Sequence, residues 1–178
     1  MTYDWSQFTV HIYCKRSVEE TFRCWATSDG LESFFVQSAE LTDSHGNHRD
    51  GKAPAQLGDR YRFKWIHDYD LSGQILLVDL GRKLKFSFSE MEVTVTISPD
   101  GDRSLVRLHQ TKIPAETDSE KAANHLNCRS CWVFFLSNLK SVLEYGVDLR
   151  EHDPLRSDCV AVHFVPPAQS DDIDSNSD

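Results

Sequence analysis

Residues 117–146, TDSEKAANHLNCRSCWVFFLSNLKSVLEYG, decide the fold class, because they predict one long amphipathic helix. Thr117 and Glu120 have the spacing of a capping box, which begins a helix, and Gly146 is placed to end it. A helix with one apolar side needs an apolar surface to pack against. Apolar residues recur along one side at spacings of three and four, and this stripe consists of Cys128, Trp132, Phe135, Leu139 and Val142.

Segments that alternate between apolar and polar residues precede the helix and supply that surface. The clearest is DRYRFKW, in which Tyr61, Phe63 and Trp65 face one way and basic residues face the other. Turn signals at 81–82 and 100–101 separate the later segments. This pattern predicts an antiparallel meander with one buried face. The other strand segments are FTVHIYC, FVQSAELTD, GQILLVDL, KLKFSF, EMEVTVTI and SLVRLHQT.

Short helices and a long loop are expected between the first strand and the sheet. Ser17 and Glu20 form a second capping box, ahead of apolar residues at helical spacing. The pair Asp29-Gly30 is expected to end that helix, and LESFF at 31–35 to add another. Residues 43–58 are polar and rich in Gly and Asp, which predicts a loop. The whole order predicts an α+β fold whose helices cover one face of the sheet.

Composition excludes several classes of protein. The chain has 178 residues, 39% of them hydrophobic, and a net charge of −9. This acidity argues against binding nucleic acid or an anionic membrane through a basic surface. No run approaches the ~18 apolar residues of a membrane span, and MTYDWSQFTV lacks the pattern of a signal peptide. Five cysteines, an odd number, indicate reduced thiols, and we expect a cytoplasmic protein.

Two parts of the chain differ in character. Residues 1–150 are expected to form one domain, and residues 151–178 a C-terminal extension. Within the extension, CVAVHFV has the alternation of a short strand, with Val160, Val162 and Phe164 on one face. The acidic end, PPAQSDDIDSNSD, is expected to be disordered.

Cys128 and Cys131 form a C-x-x-C motif, with His125 three residues earlier. The motif lies well inside the predicted helix, beyond the first turn in which a helix lowers a thiol pKa. A zinc site needs a second ligand pair, and the other cysteines are not spaced as one. We interpret the two thiols as small core or cavity-lining residues, with metal binding and redox chemistry as alternatives.

Four motifs and their order give a resemblance to a known family. They are GDRYRF at 58–63, GQI at 73–75, RKLKF at 82–86, and Trp132 with Leu136, Leu139 and Leu143. From about Phe8 to Arg150 the chain resembles the domain shared by activators of the heat-shock-protein-90 ATPase and their bacterial homologues, in the START-like (Bet v 1-like, SRPBCC) superfamily. The resemblance implies a helix-grip fold. In that fold a curved antiparallel sheet wraps around the long C-terminal helix, and two short helices follow the first strand.

Binding of a small hydrophobic molecule is the first functional hypothesis. The resemblance implies a cavity between helix and sheet, and a mostly apolar cavity with a few polar groups is the usual small-molecule site. We predict a non-enzymatic domain with no catalytic residue, no cofactor and no metal. The candidate cavity residues are Phe34, Phe35, Tyr61, Phe63, Trp65, Phe86, Phe88, Met91, Cys128, Trp132, Phe135 and Leu139.

Three alternatives remain open. The first is a co-chaperone-like module, linked to a chaperone or to the stress response, whose outer sheet face contacts an acidic protein through Arg60, Arg62, Lys64, Lys83 and Lys85. The second is an enzyme of cyclase or hydrolase type, with an acid or base among His11, Asp79, Glu90, Glu92 and His109. The third is metal binding in the long loop, through Asp43, His45, His48 and Asp50.

Overall fold

Seven strands and three helices make up the part of the chain that the computed structural model describes, residues 3–65, 69–153 and 155–156. Every strand pairing is antiparallel. In chain order the elements are β1 Phe8–Cys14, α1 Val18–Ala26, α2 Ser28–Phe34, β2 Ser38–Thr42, β3 Arg60–Lys64, β4 Asp70–Asp79, β5 Lys83–Phe88, β6 Met91–Asp100, β7 Arg103–Thr111 and α3 Asp118–Tyr145.

The strands form one curved sheet in the order β1-β7-β6-β5-β4-β3-β2. Strands β2 to β7 are therefore a meander, and β1 returns to pair with β7 at the far edge. Alternation decides which side chains face the helices: along β3, Tyr61 and Phe63 are buried while Arg60, Arg62 and Lys64 are exposed. The predicted α+β helix-grip fold is confirmed.

Helix α3 begins and ends where its sequence predicts. Thr117 and Glu120 make both hydrogen bonds of the capping box. Gly146 adopts a left-handed conformation with φ of 69°, which costs glycine little because it has no Cβ atom. The apolar stripe faces the sheet and the end of α2: the Trp132 ring lies 5.7 Å from that of Phe88 in β5 and 5.1 Å from that of Phe35, the C-cap of α2, centroid to centroid.

Helix α1 ends two residues earlier than predicted, and the expectation that Asp29-Gly30 ends it is wrong. The break is at Thr27, whose backbone is extended and whose side-chain oxygen accepts the N–H of Gly30. This hydroxyl caps α2, so Gly30 lies inside the second helix. Glycine is required there because a Cβ atom would lie 2.3 Å from the carbonyl oxygen of Arg23 in α1.

We expect Gly30→Ala to destabilise the protein, although alanine has the higher helix propensity by about 1 kcal/mol. The added methyl group meets the backbone of α1, which cannot rotate away, and overpacking of this kind costs about 1 to 3 kcal/mol. Chemical denaturation measures the net change. Ala123→Gly, at an exposed position of α3, is the control for helix propensity alone. A Gly30→Ala protein more stable than wild type would refute the close packing of α1 on α2.

The predicted loop between β2 and β3 covers the β2 edge of the sheet. The N–H of Arg49 donates to the carbonyl oxygen of Leu41, and the carboxylate of Glu32, from α2, accepts the N–H of Ala39. Backbone groups on an edge strand otherwise pair readily with another chain. The loop and α2 therefore close one edge of the sheet.

Hydrogen bonds join the segment after α3 to α2 and to the residues that follow α2. The guanidinium group of Arg150 donates to the carbonyl oxygens of Val36 and Glu32, each at 2.7 Å. The predicted strand at 159–165 and the acidic end lie outside the described residues, and the domain boundary at residue 150 stays a prediction. Among the described helices, none is both long and apolar enough to cross a membrane.

Candidate ligand pocket

A pocket of about 210 Å³ opens between the sheet and the first half of α3. It lies at one end of the sheet, where β4 begins, β5 ends and β6 begins. The segment between β7 and α3 closes one side. Its lining residues are Tyr69, Leu71, Phe88, Ser89, Met91, Ile113, Pro114, Asn124, Asn127 and Cys128.

Two tight backbone bends, at Ser89 and Lys112, position residues that line the pocket. Ser89 has φ of 55° in the turn from β5 to β6, which sets Phe88 and Met91 opposite each other in the register. Lys112 has φ of 62° directly after β7, and the next residue, Ile113, turns to the pocket. Non-glycine residues adopt this conformation rarely, so both bends are held by the surrounding structure.

Polar side chains connect the floor of the pocket to the core. The thiol of Cys128 lies 3.9 Å from the sulfur of Met91, and the amide nitrogen of Gln110 donates to that sulfur at 2.7 Å. The indole N–H of Trp132 donates to the amide oxygen of Gln110. Burial raises the pKa of Cys128 above its usual value, so this thiol is neutral near pH 7.

The members of the C-x-x-C motif have separate environments. Burial raises the pKa of Cys131 to about 12, whereas a reactive thiol has a lowered pKa. His125 donates from Nδ1 to the carbonyl oxygen of Trp5, and its Nε2 lies 3.1 Å from the hydroxyl of Tyr3. Within the described ranges, no three His, Cys, Asp or Glu side chains are grouped so that they could hold a metal ion. The geometry supports the interpretation of both thiols as packing residues.

Of the twelve cavity residues that the sequence predicts, the structure brings Phe88, Met91 and Cys128 to the pocket. The other nine fill the core between sheet and helices, with 2% or less of each residue exposed. Whether any of the twelve touches a ligand stays a prediction. The nine core residues are Phe34, Phe35, Tyr61, Phe63, Trp65, Phe86, Trp132, Phe135 and Leu139.

Seven lining residues were missed from the sequence, because they belong to turns, to the ends of strands or to the border of the apolar stripe. Asn124 lies four residues before Cys128, so helical spacing was a signal for it, and Asn127 lies three residues after Asn124 on the same side of the helix. No comparable signal indicated the others. They are Tyr69, Leu71, Ser89, Ile113 and Pro114.

The candidate acids and bases do not line this pocket. His11, Asp79 and Glu90 are exposed, and His109 faces outward with Nδ1 at 3.0 Å from the hydroxyl of Thr9. In the long loop, the carboxylate of Asp43 accepts the N–H groups of His45 and Asn47, while the side chains of His45 and His48 are exposed.

The basic outer face of the sheet is partly neutralised by its own carboxylates. Arg62 pairs with Asp70 at 2.6 Å, and Lys85 pairs with Glu92 at the same distance. Arg62 and Lys85, which were proposed to contact an acidic protein, are therefore paired within the fold. A contact through this face has to compete with those pairs.

Residues 15–144 match the family model described as activator of Hsp90 ATPase homolog 1-like protein. Among curated proteins, none matches the chain in sequence. Solved structures share the fold. The protein SSP2350 from Staphylococcus saprophyticus has a TM-score of 0.66 at 18% identity, covering 81% of this chain and 96% of its own. The Aha1 dimer from Colwellia psychrerythraea has a TM-score of 0.61 at 17% identity, covering 79% and 97%.

A third solved structure with this fold is DynU16, described as a putative protein in the dynemicin biosynthetic locus. It has a TM-score of 0.61 at 17% identity, covering 79% of this chain and 48% of its own. At such identities the likeness establishes the fold alone. The residues that line the pocket are therefore interpreted from their own chemistry.

Proposed function

We propose, since this chain belongs to the activator of Hsp90 ATPase homolog 1-like family, that it is a non-enzymatic domain which binds a small hydrophobic molecule between its sheet and its long helix. The proposal rests on the pocket at the end of the sheet where β4 begins, β5 ends and β6 begins. Its walls are mostly apolar, and a few polar groups from α3 and the β5–β6 turn border them. This combination is typical of small-molecule sites.

The size of the pocket limits the ligand. Pockets for drug-sized ligands measure about 300 to 1,000 Å³, and this one measures about 210 Å³. The aromatic residues that fill the core close the space further in. We therefore propose a ligand smaller than a typical drug. It would lie near the protein surface, between the β5–β6 turn and the first half of α3.

NMR titration with ethylbenzene, a small uncharged hydrocarbon, tests the site. We expect the amide resonances of Met91, Ile113 and Asn127 to shift, because these residues line the pocket. Asn127→Trp places a large ring at the mouth of the pocket and is expected to weaken binding at least tenfold, about 1.4 kcal/mol.

Ser130→Trp is the matched control, because it adds the same ring to the same helix at an exposed position that does not line the pocket. It is expected to bind as wild type does. Shifts distributed over the outer face of the sheet, or equal affinities of the two variants, would contradict the proposed site.

A further inference from the structure

We infer that the pocket takes a small uncharged phenol, a single aromatic ring whose hydroxyl group lies between the side-chain amides of Asn124 and Asn127. The inference rests on the proposed function, because it names the class of ligand for the same pocket. Four properties of the pocket support it: its volume, its walls, its amide groups and the charges of its lining residues.

The volume fits one ring. An apolar cavity of about 150 Å³ holds one benzene molecule. The pocket, at about 210 Å³, therefore holds a benzene ring and roughly two further groups, each about the size of a water molecule (~30 Å³). A fused ring system, or two rings joined by a linker, would extend out of this space into solvent.

The walls favour an aromatic ring over an aliphatic chain. The rings of Tyr69 and Phe88 form part of the lining, and the sulfur atoms of Met91 and Cys128 belong to residues on the floor. Sulfur–aromatic contacts and edge-to-face ring contacts are both favourable. An aliphatic guest of the same volume makes neither kind of contact.

The two amides offer one acceptor and one donor. The nitrogen of the Asn124 amide donates to the carbonyl oxygen of Pro114 at 2.8 Å, which leaves the Asn124 amide oxygen as an acceptor. The oxygen of the Asn127 amide lies 4.0 Å from the thiol of Cys131, which leaves its nitrogen as a donor. Neither remaining amide atom has a hydrogen-bond partner among the described residues.

A hydroxyl group satisfies both amide atoms at once. Residues three apart on a helix are neighbours, with Cβ atoms about 5 to 6 Å apart, so one group can reach both side chains. A hydroxyl donates to the amide oxygen of Asn124 and accepts from the amide nitrogen of Asn127. A ketone or an ether uses only the donor.

The lining excludes ionised ligands. None of the ten described lining residues carries a formal charge, and burial keeps the thiol of Cys128 neutral. A carboxylate or an ammonium group that enters such a pocket loses part of its hydration and gains no opposite charge. A phenol keeps its hydroxyl neutral near pH 7 and so avoids this cost.

Three probes that share the same ring and ethyl group test the inference: ethylbenzene, para-ethylphenol and para-ethylbenzoate. Each is titrated into the full chain and followed by NMR. We expect para-ethylphenol to bind roughly three- to tenfold more tightly than ethylbenzene, because it gains hydrogen bonds. We expect para-ethylbenzoate to bind at least about tenfold more weakly than the phenol.

Asn127→Leu removes the donor at similar size, and Ser130→Leu is its control on the exposed side of α3. We expect the preference for para-ethylphenol over ethylbenzene to fall in Asn127→Leu alone, because only the hydrogen bond to the Asn124 amide oxygen remains, while ethylbenzene still binds. Equal affinities of the three probes, or an unchanged preference in Asn127→Leu, would overturn the phenol inference and leave the proposed function standing. If no probe binds at the pocket, both are wrong.

Discussion

Replacing Trp132 with alanine is expected to lower the free energy of unfolding by about 3 to 5 kcal/mol, the range measured for large aromatic residues in protein cores. The side chain is fully buried. Its ring stacks on Phe35 and lies 6.1 Å from the ring of Trp25, centroid to centroid. Alanine leaves a cavity where the helix stripe meets both the sheet and α1.

The indole N–H of Trp132 adds a second reason. It donates to the amide oxygen of Gln110, which is itself fully buried. Loss of that donor leaves a buried acceptor short of a partner, at a cost of about 1 to 3 kcal/mol. Trp132→Phe removes the donor and part of the ring but keeps a six-membered aromatic ring in the core, so it should cost less than Trp132→Ala.

Val133→Ala is the matched control, because Val133 is the next residue of α3 and 44% of it is exposed. Surface substitutions usually change stability by no more than about 0.5 kcal/mol. Guanidinium denaturation followed by circular dichroism measures all three variants. Similar midpoints for Trp132→Ala and Val133→Ala would disprove the central position of this ring in the core.

Arg49→Met is the second substitution with a large expected effect, a loss of about 3 to 5 kcal/mol. Both Nε and Nη2 of Arg49 donate to the carboxylate of Asp59, with Nη2 at 2.7 Å. Only 3% of the Asp59 side chain is exposed. Without the guanidinium group, a buried carboxylate keeps the N–H of Gln56 as its remaining donor in the described structure.

The exposed pair between Arg62 and Asp70 provides the comparison for Arg49→Met. Its side chains are 60% and 42% exposed, so Arg62→Met should cost no more than about 1 kcal/mol. The double variant Arg49→Met/Asp59→Leu removes both buried charges and should recover part of the lost stability. Equal effects of Arg49→Met and Arg62→Met in urea denaturation would show that burial of the ion pair contributes nothing.

Sequence patterns predicted helix starts and the buried faces of strands correctly, because these features depend on residues that are close along the chain. A capping box acts within four residues, so Thr117 and Ser17 could be identified as helix starts from the sequence. The alternation in β3 likewise assigned Tyr61 and Phe63 to the buried face. The end of α1 was misplaced because Gly30 was interpreted as a helix breaker, whereas it lies inside α2, where its missing Cβ atom lets α2 approach the backbone of α1.

The sequence by itself determined the α+β order of elements, the antiparallel meander, the bounds of the long helix and the residues that face the core. Periodicity and capping depend on neighbours along the chain, which the sequence states directly. The tertiary structure alone decided which apolar residues fill the core and which border open space. Phe86 and Phe88 share one face of β5, yet only Phe88 lines the pocket, because a cavity depends on how side chains from distant segments fill the space between sheet and helix.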